Sequence, residues 1–142
     1  MSDRIALISR VLMSAVFVVY GYLKFTDVTT QILNLGGTKR FMEWVASGAA
    51  APAWLGYLIA AFELFGGLAI LFGFKTRWVA WALLAWLVVA TLLAHPFWVM
   101  EGAARAGNLG AFFKNLGIMA AYMLIAMTGA GKYSIDARIG SK

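Results

Sequence analysis

Four stretches of this 142-residue chain, 5–24, 53–73, 78–98 and 109–131, are almost wholly apolar. Each has the roughly 20 residues that a helix needs to cross about 30 Å of hydrocarbon. Together they leave only a long connection at 25–52, a tight one at 74–77, a moderate one at 99–108 and a short tail. The predicted fold is therefore all-α: a polytopic membrane protein whose residues 1–142 form a single transmembrane four-helix bundle. A mean hydropathy of +0.82 with only 13% charged residues agrees with that class. Arg4 and Arg10 ahead of an apolar run give the first stretch the look of a secretory signal. The bulky "VVYGYLKF" provides no small-x-small cleavage site, however, so a retained span is expected.

Orientation follows from lysine and arginine counts on the two sides of an even-numbered bundle. Arg4, Lys75, Arg77, Lys132, Arg138 and Lys142 share one side. Lys39, Arg40 and Arg105 occupy the other, with Lys24 and Lys114 at its span ends. This bias predicts cytoplasmic N- and C-termini. The net charge of +6 needs no nucleic-acid partner, since no basic stripe accompanies a recognition motif. The chain has no cysteine and one histidine, which excludes thiolate nucleophiles, iron–sulfur clusters, thiolate zinc and, within one protomer, bis-histidine haem. No metal site is predicted.

Small and polar residues mark the faces that helices turn to one another in a membrane. Arg10, Ser14, Phe17, Gly21 and Lys24 follow one helical face of the first span, and Gly56, Ala60, Glu63 and Gly67 one face of the second. The third span aligns Trp81, Leu84, Val88, Thr91 and His95. The fourth aligns Lys114, Gly117, Ala121 and Thr128. In the long connection, Gly36-Gly37 divides two parts. Residues 38–46 read as a short amphipathic helix with Phe41, Trp44 and Val45 on one side and Lys39, Arg40 and Glu43 on the other. It serves either as an interfacial helix anchored by tryptophan or as a lid over a site.

Glu63 is the outlying charge, near mid-membrane in "AAFELFGGLAI". Depths counted from the span ends separate it from Arg10 by about 5 to 10 Å, which makes Arg10 its expected ion-pair partner and Lys114 the competitor. Lys24, His95, Lys114 and Asn115 fall near the outer interface. The candidate polar core is thus Arg10, Lys24, Glu63, His95, Lys114 and Asn115. Its alternative reading is structural, with charges that set helix register and lysines that snorkel outward.

The segments "LISRVLMSAVFVVYGYLKF", "ELFGGLAILFGFKTR", "ATLLAHPFW", "FFKNLGIMAAYMLI" and "GAGKYSID", in that order, resemble the DoxX family of small bacterial integral membrane proteins. The resemblance implies a four-helix bundle in the bacterial inner membrane. Arg10, Lys24, Glu63, Thr76, Arg77, His95, Lys114 and Asn115 stand at positions of the family pattern. That family is similar to a subunit of a thiosulfate:quinone oxidoreductase, and some members are associated with managing oxidative stress.

The expected function is accordingly the membrane component of a redox-linked, quinone-associated complex. The chain would have no covalent cofactor, a bound quinone or isoprenoid lipid, surrounding membrane lipids, and a protein partner or second copy. His95, Lys114, Asn115 and Lys24 would donate to the headgroup and Glu63 would relay protons. Whether the chain itself turns anything over is left open, because it carries no self-contained catalytic motif. The alternative is a non-enzymatic anchor or assembly factor. A small-molecule transporter is weaker, since no interrupted helix pair or inverted repeat is visible.

Overall fold

The computed structural model describes residues 3–140. Its helices are α1 (Asp3–Thr26), α2 (Gly36–Ala46), α3 (Ala53–Phe72), α4 (Thr76–Ala94), α5 (Gly102–Thr128) and a short α6 (Ile135–Ile139). A π-helical turn, Thr29–Leu33, follows α1, and a 3-10 turn, Phe97–Val99, follows α4. Among the described residues there is no strand, and four helices are long and apolar enough to cross a membrane. The chain is an all-α, multi-pass membrane protein.

Glycine sets the register of the first pair. A Cβ on Gly21 of α1 would lie 2.6 Å from the backbone nitrogen of Leu64, and one on Gly67 of α3 would lie 2.8 Å from that of Val18. Only glycine permits this approach, so the two antiparallel helices lock with Gly21 level with Leu64 and Val18 level with Gly67. Their buried stripes are Ala6, Arg10, Ser14, Phe17 and Gly21 on α1, and Gly56, Ala60, Glu63, Gly67 and Ile70 on α3. These are the faces that residue spacing predicts.

In the second pair, α4 and α5, the faces match expectation only in part, with Leu84 and Thr91 of the expected α4 face buried. The buried stripe of α4 is Thr76, Ala80, Leu83, Leu84, Leu87 and Thr91, while Trp81 and Val88 are exposed. On α5, Tyr122, Ile125 and Ala126 are buried, and Lys114, Gly117 and Thr128 face outward. Lipid tails are as apolar as leucine, so hydropathy alone does not separate a lipid-facing position from a helix-facing one. Helix α5 also begins at Gly102, ahead of its apolar run, because "GAARAGN" extends the helix beyond the bundle with residues 102–107 exposed.

The two pairs meet in a core of Phe17, Ile70, Leu83, Leu87, Tyr122 and Ile125, displaced toward the turn between α3 and α4. Tyr122 donates to the Met13 carbonyl at 3.1 Å and meets Phe17 edge to face. That end of the bundle also holds the chain's first and last described segments. Gly73, at φ 69°, closes α3, and the Phe74 N–H returns to the Ala69 carbonyl. The Asp136 carboxylate then accepts from the backbone N–H groups of Lys75 and Thr76, at 2.7 and 2.9 Å, capping α4. The motif "GAGKYSID" thus clamps the hairpin. At the opposite end α3 and α4 separate, and the π-helical turn and α2 fold over the gap.

Candidate functional site

The separation of α3 and α4 leaves a cavity of about 690 Å³. Its walls come from the first half of α3, with Leu55, Ile59 and Phe62, and the second half of α4, with Val89 and Leu93. Ile32 of the π-helical turn and Phe41 of α2 form the roof. Leu58 and Val89 line the cavity and are also exposed, so it opens sideways at the seam between α3 and α4. The lining is almost entirely aliphatic and aromatic.

Its polar floor is Lys24, Glu63 and Trp86. The Lys24 ammonium donates to both oxygens of Glu63, at 2.7 and 2.6 Å, and Trp86 Nε1 donates to Oε1 at 2.8 Å. Glu63 therefore has three donor contacts, which is what a carboxylate needs when taken out of water. The Glu63 side chain is 4% exposed and that of Lys24 22%, so the ammonium is the charge that the cavity meets. An ammonium has three N–H groups. Its contacts to the two Glu63 oxygens use at most two, leaving at least one for another acceptor.

This pairing corrects the expected one with Arg10. The register set by Gly21 and Gly67 places Arg10 twelve residues below the level of Glu63, roughly 18 Å along the helix axis. There the guanidinium, 1% exposed, donates to the carbonyls of Leu71, at 3.1 Å, Ile70 and Tyr133. These include carbonyls left open where α3 ends, so Arg10 is a C-terminal helix clamp. Lys24, expected to lie at the outer interface, turns inward instead.

The other expected donors stand apart from the cavity. The Asn115 amide donates to Thr91 Oγ1 at 3.0 Å, joining α5 to α4. His95 Nδ1 lies 3.0 Å from Asn108 Oδ1, and the Asn108 amide nitrogen donates to the Ala104 carbonyl. That arrangement leaves Oδ1 as acceptor and assigns the imidazole proton to Nδ1. Lys114 is exposed, with no ion-pair partner among the described residues. Of the six residues of the predicted polar core, the structure brings only Lys24 and Glu63 to the cavity.

Three polar residues of the cavity escape a reading by residue type. Trp86 looks in sequence like another lipid-facing aromatic. Gln31 and Thr38, both lining the roof, lie in the long connection, and their side chains have no hydrogen-bond partner among the described residues. The amphipathic helix is present, but rotated from expectation. Phe41 and Met42 face the bundle, Trp44 is 82% exposed, and Arg40 donates to the Leu93 carbonyl at 2.5 Å. Gly37 lies against Ala94, where a Cβ would come within 3.1 Å of the Ala94 Cα. Helix α2 is thus a roof fastened to the end of α4.

Comparison with known proteins agrees with this architecture. The DoxX family model matches residues 5–96, and the SURF4 family model matches residues 54–139. Inner membrane protein YqjF of Escherichia coli K12 is 34% identical over 136 residues, 96% of this chain and 92% of that protein. Inner membrane protein YphA of the same organism is 29% identical over 132 residues, covering 93% and 88%. No solved structure matches the chain. With a family match running from α1 to the end of α4 and a relative aligned nearly end to end, the chain belongs to the DoxX family.

Proposed function

We propose that this protein is an inner-membrane binding component for a lipid-like molecule, a quinone or another isoprenoid, within a redox-linked complex. The carrying observation is the cavity: about 690 Å³ of apolar space, open at a helix seam, with an ion pair on its floor. Pockets of a few hundred Å³ with apolar walls and few polar groups are the usual form of a small-molecule site. The names of the two relatives support the inner membrane as its location. The lysine and arginine distribution supports cytoplasmic termini.

A quinone fits the residues present, since a carbonyl oxygen would take the unused N–H of Lys24 while the chain lies among Leu55, Ile59, Phe62 and Leu93. Bound there, such a group would supply two-electron redox chemistry. The chain's own part is to hold the headgroup, keep water out and hold a proton at Lys24 Nζ, with Glu63 behind it to balance the charge. Lacking cysteine and holding one histidine, the chain would receive electrons from a partner protein. The anchor reading is favoured for the opposite end of the bundle, where the hydrogen bonds of Arg10 and Asp136 among the described residues go to backbone groups.

The test is mass spectrometry of small molecules extracted from purified protein, beside a Lys24→Met/Glu63→Gln double variant that removes both charges and keeps the floor net neutral. A quinone or isoprenoid retained by the first and depleted at least tenfold in the folded second is expected. An empty wild-type protein, or equal retention in both, would overturn the reading.

A further inference from the structure

The Lys24–Glu63 pair raises a question beyond binding itself: why a site with a lysine on its floor should also bury a carboxylate. A membrane cavity open to the bilayer faces an excess of phospholipids, whose phosphates are anionic. An unpaired ammonium would be an attractive end point for such a headgroup. Here the ammonium is already neutralised by two contacts to Glu63, and Trp86 fixes the carboxylate in place. Among the described residues no other charged side chain lines the cavity, and its remaining polar groups are the uncharged Gln31 and Thr38.

From this charge balance we infer that Glu63 is a specificity-determining residue that excludes anionic headgroups, so that the cavity takes uncharged amphiphiles bearing hydrogen-bond acceptors. The inference rests on the ligand-site reading above. Placing a phosphate beside a pair whose charges already cancel leaves a net negative charge in an apolar chamber, a large desolvation penalty. A ketone, ester or hydroxyl oxygen takes the free N–H of Lys24 without adding charge. Specificity here is a difference of affinities created by a repulsive element, with Glu63 as that element. Trp86 acts as its positioning residue. Held by the indole N–H, the carboxylate lies 4% exposed behind a lysine that is 22% exposed.

The test uses two probes with the same tail at pH 7, a benzoquinone carrying a decyl chain and decyl phosphate, titrated into detergent-purified protein and read by native mass spectrometry. The wild type is expected to bind the quinone at least tenfold more tightly. In Glu63→Gln, which leaves Lys24 with an uncompensated charge, the preference is expected to move at least tenfold toward the phosphate. The Lys24→Met/Glu63→Gln double variant is uncharged again and should keep the phosphate weak. A wild type that binds both probes equally, or prefers the phosphate, would overturn the inference on its own, whether or not Glu63→Gln folds. So would a folded Glu63→Gln with an unchanged ratio. Binding of neither probe to folded wild type would overturn the ligand-site reading along with it.

Discussion

Lys24 and Glu63 face one another across the α1–α3 contact because Gly21, three residues before the lysine, lies level with Leu64, one residue after the glutamate. The ion pair is a product of helix register, and the register is a product of two glycines. Disturbing either end of that relationship should disturb the cavity floor.

Gly21→Ala places a methyl group 2.6 Å from the backbone nitrogen of Leu64, where no rotamer change relieves the contact. Helix α1 must shift from α3, at a cost of about 1 to 3 kcal/mol. The expected result is a lower thermal unfolding midpoint in detergent, with ligand retention reduced as Lys24 is drawn off Glu63. Gly117→Ala on α5, with no atom within 4 Å of the added carbon, is the control and should be neutral. Equal effects of the two variants would contradict the close α1–α3 contact.

Lys24→Met keeps the stem and removes the ammonium, leaving Glu63 with Trp86 as its remaining donor. Orphaning a fully buried charge costs about 3 to 5 kcal/mol. Lys24 is partly exposed to the cavity, so about 2 kcal/mol is expected here. Adding Glu63→Gln should recover most of the loss. A double-mutant cycle on chemical unfolding in mixed micelles measures the coupling, and additive effects would mean that the pair contributes nothing.

Arg10→Lys is not conservative at this site, since one ammonium replaces a planar fork that spans carbonyls from two segments. The C-terminal segment should loosen from the α3–α4 hairpin and become sensitive to protease near Tyr133. Asp136→Ala, which removes the cap of α4, should lower stability by about 1 kcal/mol and expose the same segment. Lipid retention should change little in both variants, because neither residue lines the cavity. Loss of ligand in either one would link the two ends of the bundle.

The inward faces of α1 and α3 were legible because they contrast with their surroundings: glycine, alanine, serine and charge stand out from leucine and phenylalanine. The faces of α4 and α5 were legible only in part: Leu84 and Thr91 stand on the expected face and are buried, but Val88 on the bundle surface is as apolar as Leu83 and Leu87 in the core. Glu63 was legible as an inward charge, but its partner was not. Depths counted from separate span ends carry errors of several residues, and a lysine near a span end reads the same whether it snorkels out or turns in. The cavity had no sequence signature at all. It arises where α3 and α4 diverge beyond the Gly66–Leu83 contact, a property of packing that no single helix displays.

The route into the cavity can be tested through its roof. Helix α2 is fastened to α4 by the Arg40 contact to Leu93 and by Gly37 packed on Ala94. A Cβ at Gly37 would lie 3.3 Å from the Ala94 Cβ and 3.1 Å from its Cα, closer than the roughly 3.5 to 4.5 Å between the Cβ atoms of a disulfide, so α2 must back away slightly from α4 for the bond to form. The chain has no cysteine of its own, so a Gly37→Cys/Ala94→Cys pair introduces the one possible crosslink. Entry through the seam between Leu58 and Val89 predicts that oxidised and reduced proteins exchange a decyl-chain benzoquinone at equal rates. A bulkier rim in the same background, Val89→Trp, should slow exchange severalfold in both. If oxidation alone slows exchange, the roof is the entrance, and α2 is a gate in place of a fixed cover.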